Sequence, residues 1–290
     1  VVETIYVKLG GSLITDKTRP MTPKPDVIRR LAREIGRARE ERPHLHVLLG
    51  HGSGSFGHVL AREYRVRAGV HDARGWEGYA RTAAAAARLN RLVADLFLEA
   101  GVPVVSLPPS ASARCRDGVL ISLETHAPRT LLQQGLVPLV YGDVSLDDVR
   151  GGTIVSTEEV FVFLAQQPVP LRPTRILLVG EVPGVFTADP RRDPTARLIS
   201  HLSAQRVPAL KGLGGSHGVD VTGGMASKVQ VMADLVRTLP EIRVHILSGA
   251  KENNVYQALL DPDPPFGTHI VSIQVGISGG TQDARPRNAR

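Results

Sequence analysis

Short apolar, β-branched runs recur at 5–9, 45–49, 102–107, 137–141, 175–180, 242–247 and 269–275, with longer stretches of helical period between several of them. Strands alternating with helices predict an α/β fold on a mainly parallel sheet. In the opening run Ile5, Val7 and Leu9 alternate with Thr4, Tyr6 and Lys8. From Trp76 to Ala100, the residues Tyr79, Ala83, Ala86, Leu89, Val93 and Leu96 keep a spacing of three or four, which predicts a long helix ending at Gly101-Val102-Pro103. Asp26 is placed to cap a helix to about Arg39, with Val27, Leu31 and Ile35 on one face. Another helix is expected from Ala226 to Leu239, stopped by Pro240. The proline-rich segment 166–173 marks the best internal boundary, between an N-terminal lobe to about 170 and a C-terminal lobe over about 171–275. Residues 276–290 turn polar and are expected to form a disordered tail.

Composition narrows the partners. The 290 residues carry a formal charge of +7, which favours anionic ligands, but the basic residues are dispersed and aromatics make up only 4%. No stacking platform interleaves with the charge, so a nucleic-acid role is not expected. No apolar run reaches the ~18–20 residues of a membrane span, and the opening residues lack a signal-peptide pattern. Cys115 is the single cysteine, so it forms no internal disulfide, and a reducing cytoplasm is the expected setting.

Chemistry concentrates in glycine-rich turns. The strand pattern 45–49 breaks into Gly50-His51-Gly52-Ser53-Gly54-Ser55-Phe56-Gly57-His58, and the first strand breaks into Gly10-Gly11-Ser12 with Lys17 just beyond. Two such turns, with cations beside them, imply backbone amides aimed at two phosphate groups held face to face. Gly52 to Gly57 also satisfies G-x-G-x-x-G, but Asp72 is followed by a helix and not by a second strand, so the dinucleotide reading lacks its ribose partner. In the C-terminal half, Leu177 to Gly180 leads into Glu181 and then Phe186-Thr187-Ala188-Asp189-Pro190, a plausible seat for adenine and ribose. Asp220-Val221-Thr222-Gly223-Gly224-Met225 enters a helix bearing Lys228, which suits nucleotide phosphates through amides, helix dipole and charge.

Together these blocks resemble the amino acid kinase superfamily, and within it the isopentenyl phosphate kinases. Lys8-Leu9-Gly10-Gly11-Ser12 with Lys17, Ser55-Phe56-Gly57-His58, Tyr141-Gly142-Asp143, Phe186 to Pro190, and Thr222-Gly223-Gly224-Met225 with Lys228 stand in the family's order over residues 4 to 275. The resemblance implies a three-layer αβα sandwich with a mainly parallel central sheet, and a homodimer. It implies an enzyme using ATP and Mg²⁺ to phosphorylate isopentenyl phosphate to the diphosphate, a step of isoprenoid biosynthesis. A fosfomycin-type kinase and a nucleotide-binding sensor without turnover are the alternatives.

The resemblance also implies roles. Lys8 and Lys17 contact the transferring phosphoryl group, and Lys228 holds the β- and γ-phosphates. Amides of Gly10, Gly11, Ser12 and Gly54 cradle the same oxygens, while Glu181, residues 186–190, Gly223 and Gly224 complete the nucleotide site. Glu158 stands where the family carries an aspartate that orients the lysines. Ser53, Gly57, His58, Asp143 and Thr157 fall on the acceptor side, with His58 donating to the acceptor phosphate. The helix from Trp76 walls the acceptor pocket, where Ala83 and Ala86 leave room for a tail. No metal-ligating cluster is expected.

Overall fold

The computed structural model describes residues 3–190, 193–207 and 223–272, and of His58, Gly223 and Gly224 the backbone only. The expected tail 276–290, and the stretch leading to Thr222, lie outside the described residues.

An eight-stranded sheet forms the middle layer. In chain order its strands are β1 (Glu3–Leu9), β2 (Leu45–His51), β3 (Val104–Ser106), β6 (Val137–Tyr141), β9 (Arg175–Gly180), β10 (His201–Ser203), β11 (Arg243–Ser248) and β12 (Thr268–Val271). Across the sheet the order is β10-β12-β11-β9-β1-β2-β6-β3, and every pairing is parallel except β11 with β12. β1 lies at the centre, bonded to β2 on one side and β9 on the other.

Helices cover both faces. On one face α2 (Pro25–Glu41), α4 (Ala73–Glu99) and the helix Asn254–Leu260 pack Leu31, Ile35, Leu89, Val93 and Val255 against Ile5, Val7 and Leu9 of β1. On the other, α5 (His126–Gln133), α6 (Thr157–Ala165) and the helix Gly223–Thr238 pack around Tyr6. A strand buried on both faces explains the polar half of the opening alternation. Thr4, Tyr6 and Lys8 face the second core, not water, and each finds a partner there. Thr4 donates to the Pro170 carbonyl at 2.9 Å, Tyr6 to the Leu171 carbonyl, and Lys8 to Glu158. Burying such groups costs little only when they are paired.

Local signals set the element ends. α2 begins at Pro25, with Lys24 in the capping position, because proline suits the first helical turn. Asp26 therefore lies inside the first turn and does not cap, contrary to the sequence expectation. α4 begins three residues before Trp76, where the Asp72 carboxylate accepts from the Gly75 amide at 2.7 Å. It stops before Gly101, whose φ of +79° suits a residue without Cβ.

A second sheet of four strands, β4 (Arg114–Arg116), β5 (Val119–Ser122), β7 (Asp143–Asp147) and β8 (Gly151–Val155), was not expected from the sequence. Its order is β5-β4-β7-β8, and only β4 with β7 is parallel. β7 and β8 pack beside α4 and place Asp143 and Val155 on the site described next.

Candidate active site

The two glycine turns meet backbone to backbone. β1 ends in the short helix α1 (Gly11–Ile14), and β2 ends in α3 (Gly54–Glu63). A Cβ on Gly11 would lie 2.5 Å from the Gly54 nitrogen, and one on Gly54 would lie 2.2 Å from the Thr15 hydroxyl. Gly54 has φ +50°, a left-handed conformation that glycine adopts without strain. Thr15 clamps the junction: its hydroxyl donates to the Gly11 carbonyl at 2.6 Å and accepts from the Ser55 amide at 2.9 Å. Only residues without side chains permit this approach, and it opens helix-start amides of both turns toward one space.

That space is a cavity of about 660 Å³. Lys8, Lys17 and Lys228 all line it, with Gly11, Ser12, Ser53, Gly54, Gly57, Asp143, Thr157 and Glu158. Lys8 comes from β1 and sits opposite Gly50 of β2. A Cβ on Gly50 would stand 2.5 Å from Thr157 Cγ2, so the bare glycine lets the start of α6 reach the sheet. Thr157 then donates to the His51 carbonyl at 2.7 Å, and Glu158 meets the Lys8 ammonium as a buried ion pair. The start of α6 is fixed by a capping box in which Ser156 Oγ accepts from the Glu159 amide at 3.2 Å and Glu159 accepts from the Ser156 amide at 2.5 Å.

Electrostatics couple the lysines. Burial pushes the Glu158 carboxyl up, but the Lys8 ammonium and, further off, Lys228 more than offset it and hold it below the ordinary carboxylate value. Burial lowers the Lys228 ammonium; repulsion from Lys8 and Lys17 adds to this, and Glu158 opposes it. Lys17 stands in the loop closed by the Thr15–Pro23 bridge and makes no hydrogen bond or ion pair with any described residue. The lining carries the cations Lys8, Lys17, Arg62, Arg67 and Lys228 against the carboxyl groups of Asp143, Glu158 and Glu159, which leaves the site short of negative charge.

His51 is structural. Its Nε2 lies 3.1 Å from the Asn90 amide nitrogen, and its ring stacks on Tyr141 at 5.4 Å. Burial brings its pKa to about 4, so the ring is neutral. Asp143 is buried at the cavity wall, where Oδ2 accepts from the Ser110 amide at 3.1 Å. Burial raises its carboxyl above the usual value against these hydrogen bonds.

Some expected site residues stand apart. Gly10 anchors its turn from behind, donating to the Val179 carbonyl at 2.7 Å. Glu181 pairs with Lys24 at 3.0 Å, outside the cavity lining. Phe186 to Pro190 form a loop in which Thr187 exchanges bonds with Arg197, and this loop does not line the cavity either. Gly223 and Gly224 open the helix that carries Lys228. His58 falls within α3, but its side chain lies outside the described residues.

The structure adds residues that sequence reasoning missed. Ala61, Arg62, Arg67, Thr82, Ile154 and Glu159 also line the cavity. Helical spacing from Gly54 and Gly57 to Ala61 was the available signal for the first two. Arg67 bonds Glu159 at 3.0 Å, a pairing across distant segments that no local pattern reveals. Ala86 lines the cavity, whereas Ala83 packs into a separate cluster with Val66, Val70 and Val144.

The amino acid kinase family model matches residues 3–248, and the chain belongs to that family. Among its relatives are isopentenyl phosphate kinases. The one from Methanothermobacter thermautotrophicus is 34% identical over 264 residues, covering 88% of this chain and 95% of that protein. The one from Haloferax volcanii is 39% identical over 234 residues, covering 80% and 88%. A crystal structure of an isopentenyl phosphate kinase superposes with a TM-score of 0.78 at 31% identity, covering 93% of this chain and all of that one.

Proposed function

We propose that the chain transfers the γ-phosphoryl group of ATP to isopentenyl phosphate, giving isopentenyl diphosphate and ADP. The observation that carries this reading is the convergence of Lys8, Lys17 and Lys228 on one cavity whose two glycine turns are in backbone contact. A phosphomonoester near neutral pH is already an anion and needs no general base. The barrier is repulsion between two polyanions, so positioning and charge neutralisation do the catalytic work.

In this reading amides of Gly11, Ser12 and Gly54 hold the oxygens between donor and acceptor. Lys8, tethered by Glu158, and Lys228 take the donor phosphates. Lys17, which has no partner among the described residues, follows the charge that builds on the transferring group. Ser53, Gly57, His58, Asp143 and Thr157 are assigned to the acceptor side. Glu181, residues 186–190, Gly10, Gly223 and Gly224 are assigned to the nucleotide side. No group of three or more His, Cys, Asp or Glu stands ready for a metal among the described residues. Mg²⁺, which neutralises phosphate charge when bound, would be held chiefly by the nucleotide's own oxygens. A homodimer and a cytoplasmic location complete the proposal. No helix among the described residues is long and apolar enough to cross a membrane.

An acceptor panel tests it. Purified protein with Mg-ATP is offered isopentenyl phosphate, fosfomycin, UMP and N-acetylglutamate, with ADP release and product mass as readouts. Turnover of isopentenyl phosphate well above the others is expected. Preferential turnover of fosfomycin would replace the acceptor, and ATP binding without any transfer would replace the enzyme with a sensor.

A further inference from the structure

Lys17 is exposed on the loop 16–22, and its side chain has no partner among the described residues. The backbone around it is held closely. At the base of the loop the Asp16 amide donates to the Thr22 carbonyl at 2.8 Å, beside the Thr15–Pro23 bridge. Around Lys17 the Asp16 carboxylate accepts from the Thr18 amide at 2.9 Å and the Thr18 hydroxyl at 2.7 Å, which bends the chain there. A third fastening leaves the loop altogether. Ser55, in the first turn of α3, is buried, and its carbonyl accepts from the Met21 amide at 3.1 Å. Its hydroxyl accepts from the Thr22 amide at 3.2 Å and donates to the Thr22 carbonyl at 3.5 Å. Met21 meets Ser55 in a left-handed conformation, φ +49°, which is uncommon for a residue with a side chain. Such a conformation persists where the surroundings fix it. Met21 is itself exposed, so burial of its side chain is not the reason for it.

We propose that Ser55 is a positioning residue for Lys17: by docking the Met21–Thr22 leg of the loop on the first turn of α3, it registers the Lys17 ammonium against the helix that carries Gly57 and His58. This rests on the phosphoryl-transfer reading above. Ser55 does not line the cavity and acts through the loop alone. Because no described side chain steers Lys17, the place where its backbone is fastened decides what its ammonium can reach. Lys8 is held separately, by Glu158. A loosened loop therefore fails the transferring group and leaves the donor contacts of Lys8 in place. A misplacement of about 1 Å at such a group is enough to slow the chemical step about a hundredfold.

The test is a set of cycles with Lys17→Ala, read as single-turnover rates with Mg-ATP and isopentenyl phosphate. Ser55→Ala removes both hydroxyl bonds and should lower the rate about 10–100-fold, with KM for ATP changed less than about twofold. Met21→Pro, at an exposed position, removes the amide donor and forbids the positive φ, and should act alike; Met21→Gly keeps both and should retain most of the rate. In the K17A background S55A and M21P should cost nothing further, because a residue that works through Lys17 has nothing left to position. Independently of turnover, hydrogen exchange at the Met21 and Thr22 amides should quicken in S55A. Wild-type rates in S55A and M21P, losses that persist in full on top of K17A, or unchanged exchange at those amides each overturn the inference, while wild-type turnover of isopentenyl phosphate keeps the acceptor reading intact. Full turnover by K17A alone overturns the inference together with the role given to Lys17. No turnover by the wild-type protein overturns it together with the acceptor reading.

Discussion

Replacing Glu158 with glutamine removes one negative charge and almost no volume. The parent pair is shut away from water, with Lys8 at 6% and Glu158 at 5% exposure. Removing one partner of such a pair strands the other, which costs about 3–5 kcal/mol. Lys228 also feels the Glu158 charge, so the substitution leaves both lysines under-compensated. Nucleotide-free E158Q should therefore unfold in urea about 3–5 kcal/mol more easily than the parent. Saturating ATP should recover part of the loss, because its phosphates restore the missing charge and bind only the folded state. Turnover with isopentenyl phosphate should fall about 10²–10³-fold, the scale of one misplaced transition-state contact. The pH dependence has a definite sign. The folded pKa of Glu158 lies below its ordinary value, so its contribution is complete above the usual carboxylate range and fades as pH drops through the lowered folded value. Loss of under 1 kcal/mol with kcat intact would refute the reasoning.

Lys17→Ala should lower kcat about 10²–10³-fold and leave stability within about 0.5 kcal/mol, since Lys17 holds no described partner; single-turnover rates and thermal melts separate the two effects. His51 is neutral with a pKa of about 4. Because that lies below the unfolded value, stability should decline as pH falls from about 6.5 toward 4, by on the order of 3 kcal/mol, and His51→Gln should flatten this part of a urea-midpoint profile. Ala86→Leu should depress kcat/KM for prenyl phosphates longer than five carbons more than for isopentenyl phosphate. Ala83→Leu should instead cost about 1–3 kcal/mol of stability by overpacking the Val66–Val70–Val144 cluster, read in a thermal melt.

The central layers were legible because their strands are buried on both faces, and apolar runs such as Val47 to Leu49 and Ile176 to Val179 signal that directly. The second sheet was not. β4 is Arg114-Cys115-Arg116 and β8 opens with Gly151-Gly152, so neither carries an apolar run long enough to register. β8 packs with β7 beside α4 and β4 joins the sheet through β7, tertiary contacts beyond the reach of a local pattern. At the site, the glycines and lysines were readable because phosphate binding needs a bare backbone and point charges. Arg67 reads in the sequence as one more solvated arginine, and only the fold brings it to Glu159. The polar positions of β1 were visible, but the cover that satisfies them comes from Glu158 and from the carbonyls of residues 170 and 171, about 150 residues away or more.

If the two glycine turns hold donor and acceptor phosphates as proposed, the contact between Gly11 and Gly54 sets how far apart those anions stand, with the thickness of a peptide backbone as the spacer. No rotamer change can widen or narrow that gap, because neither residue has a side chain to turn. The reactive end of the pocket is thus a fixed gauge, indifferent to what trails behind the phosphate. Divergence toward new acceptors must then be written along α4 and β8, where side chains can be exchanged without disturbing the gauge.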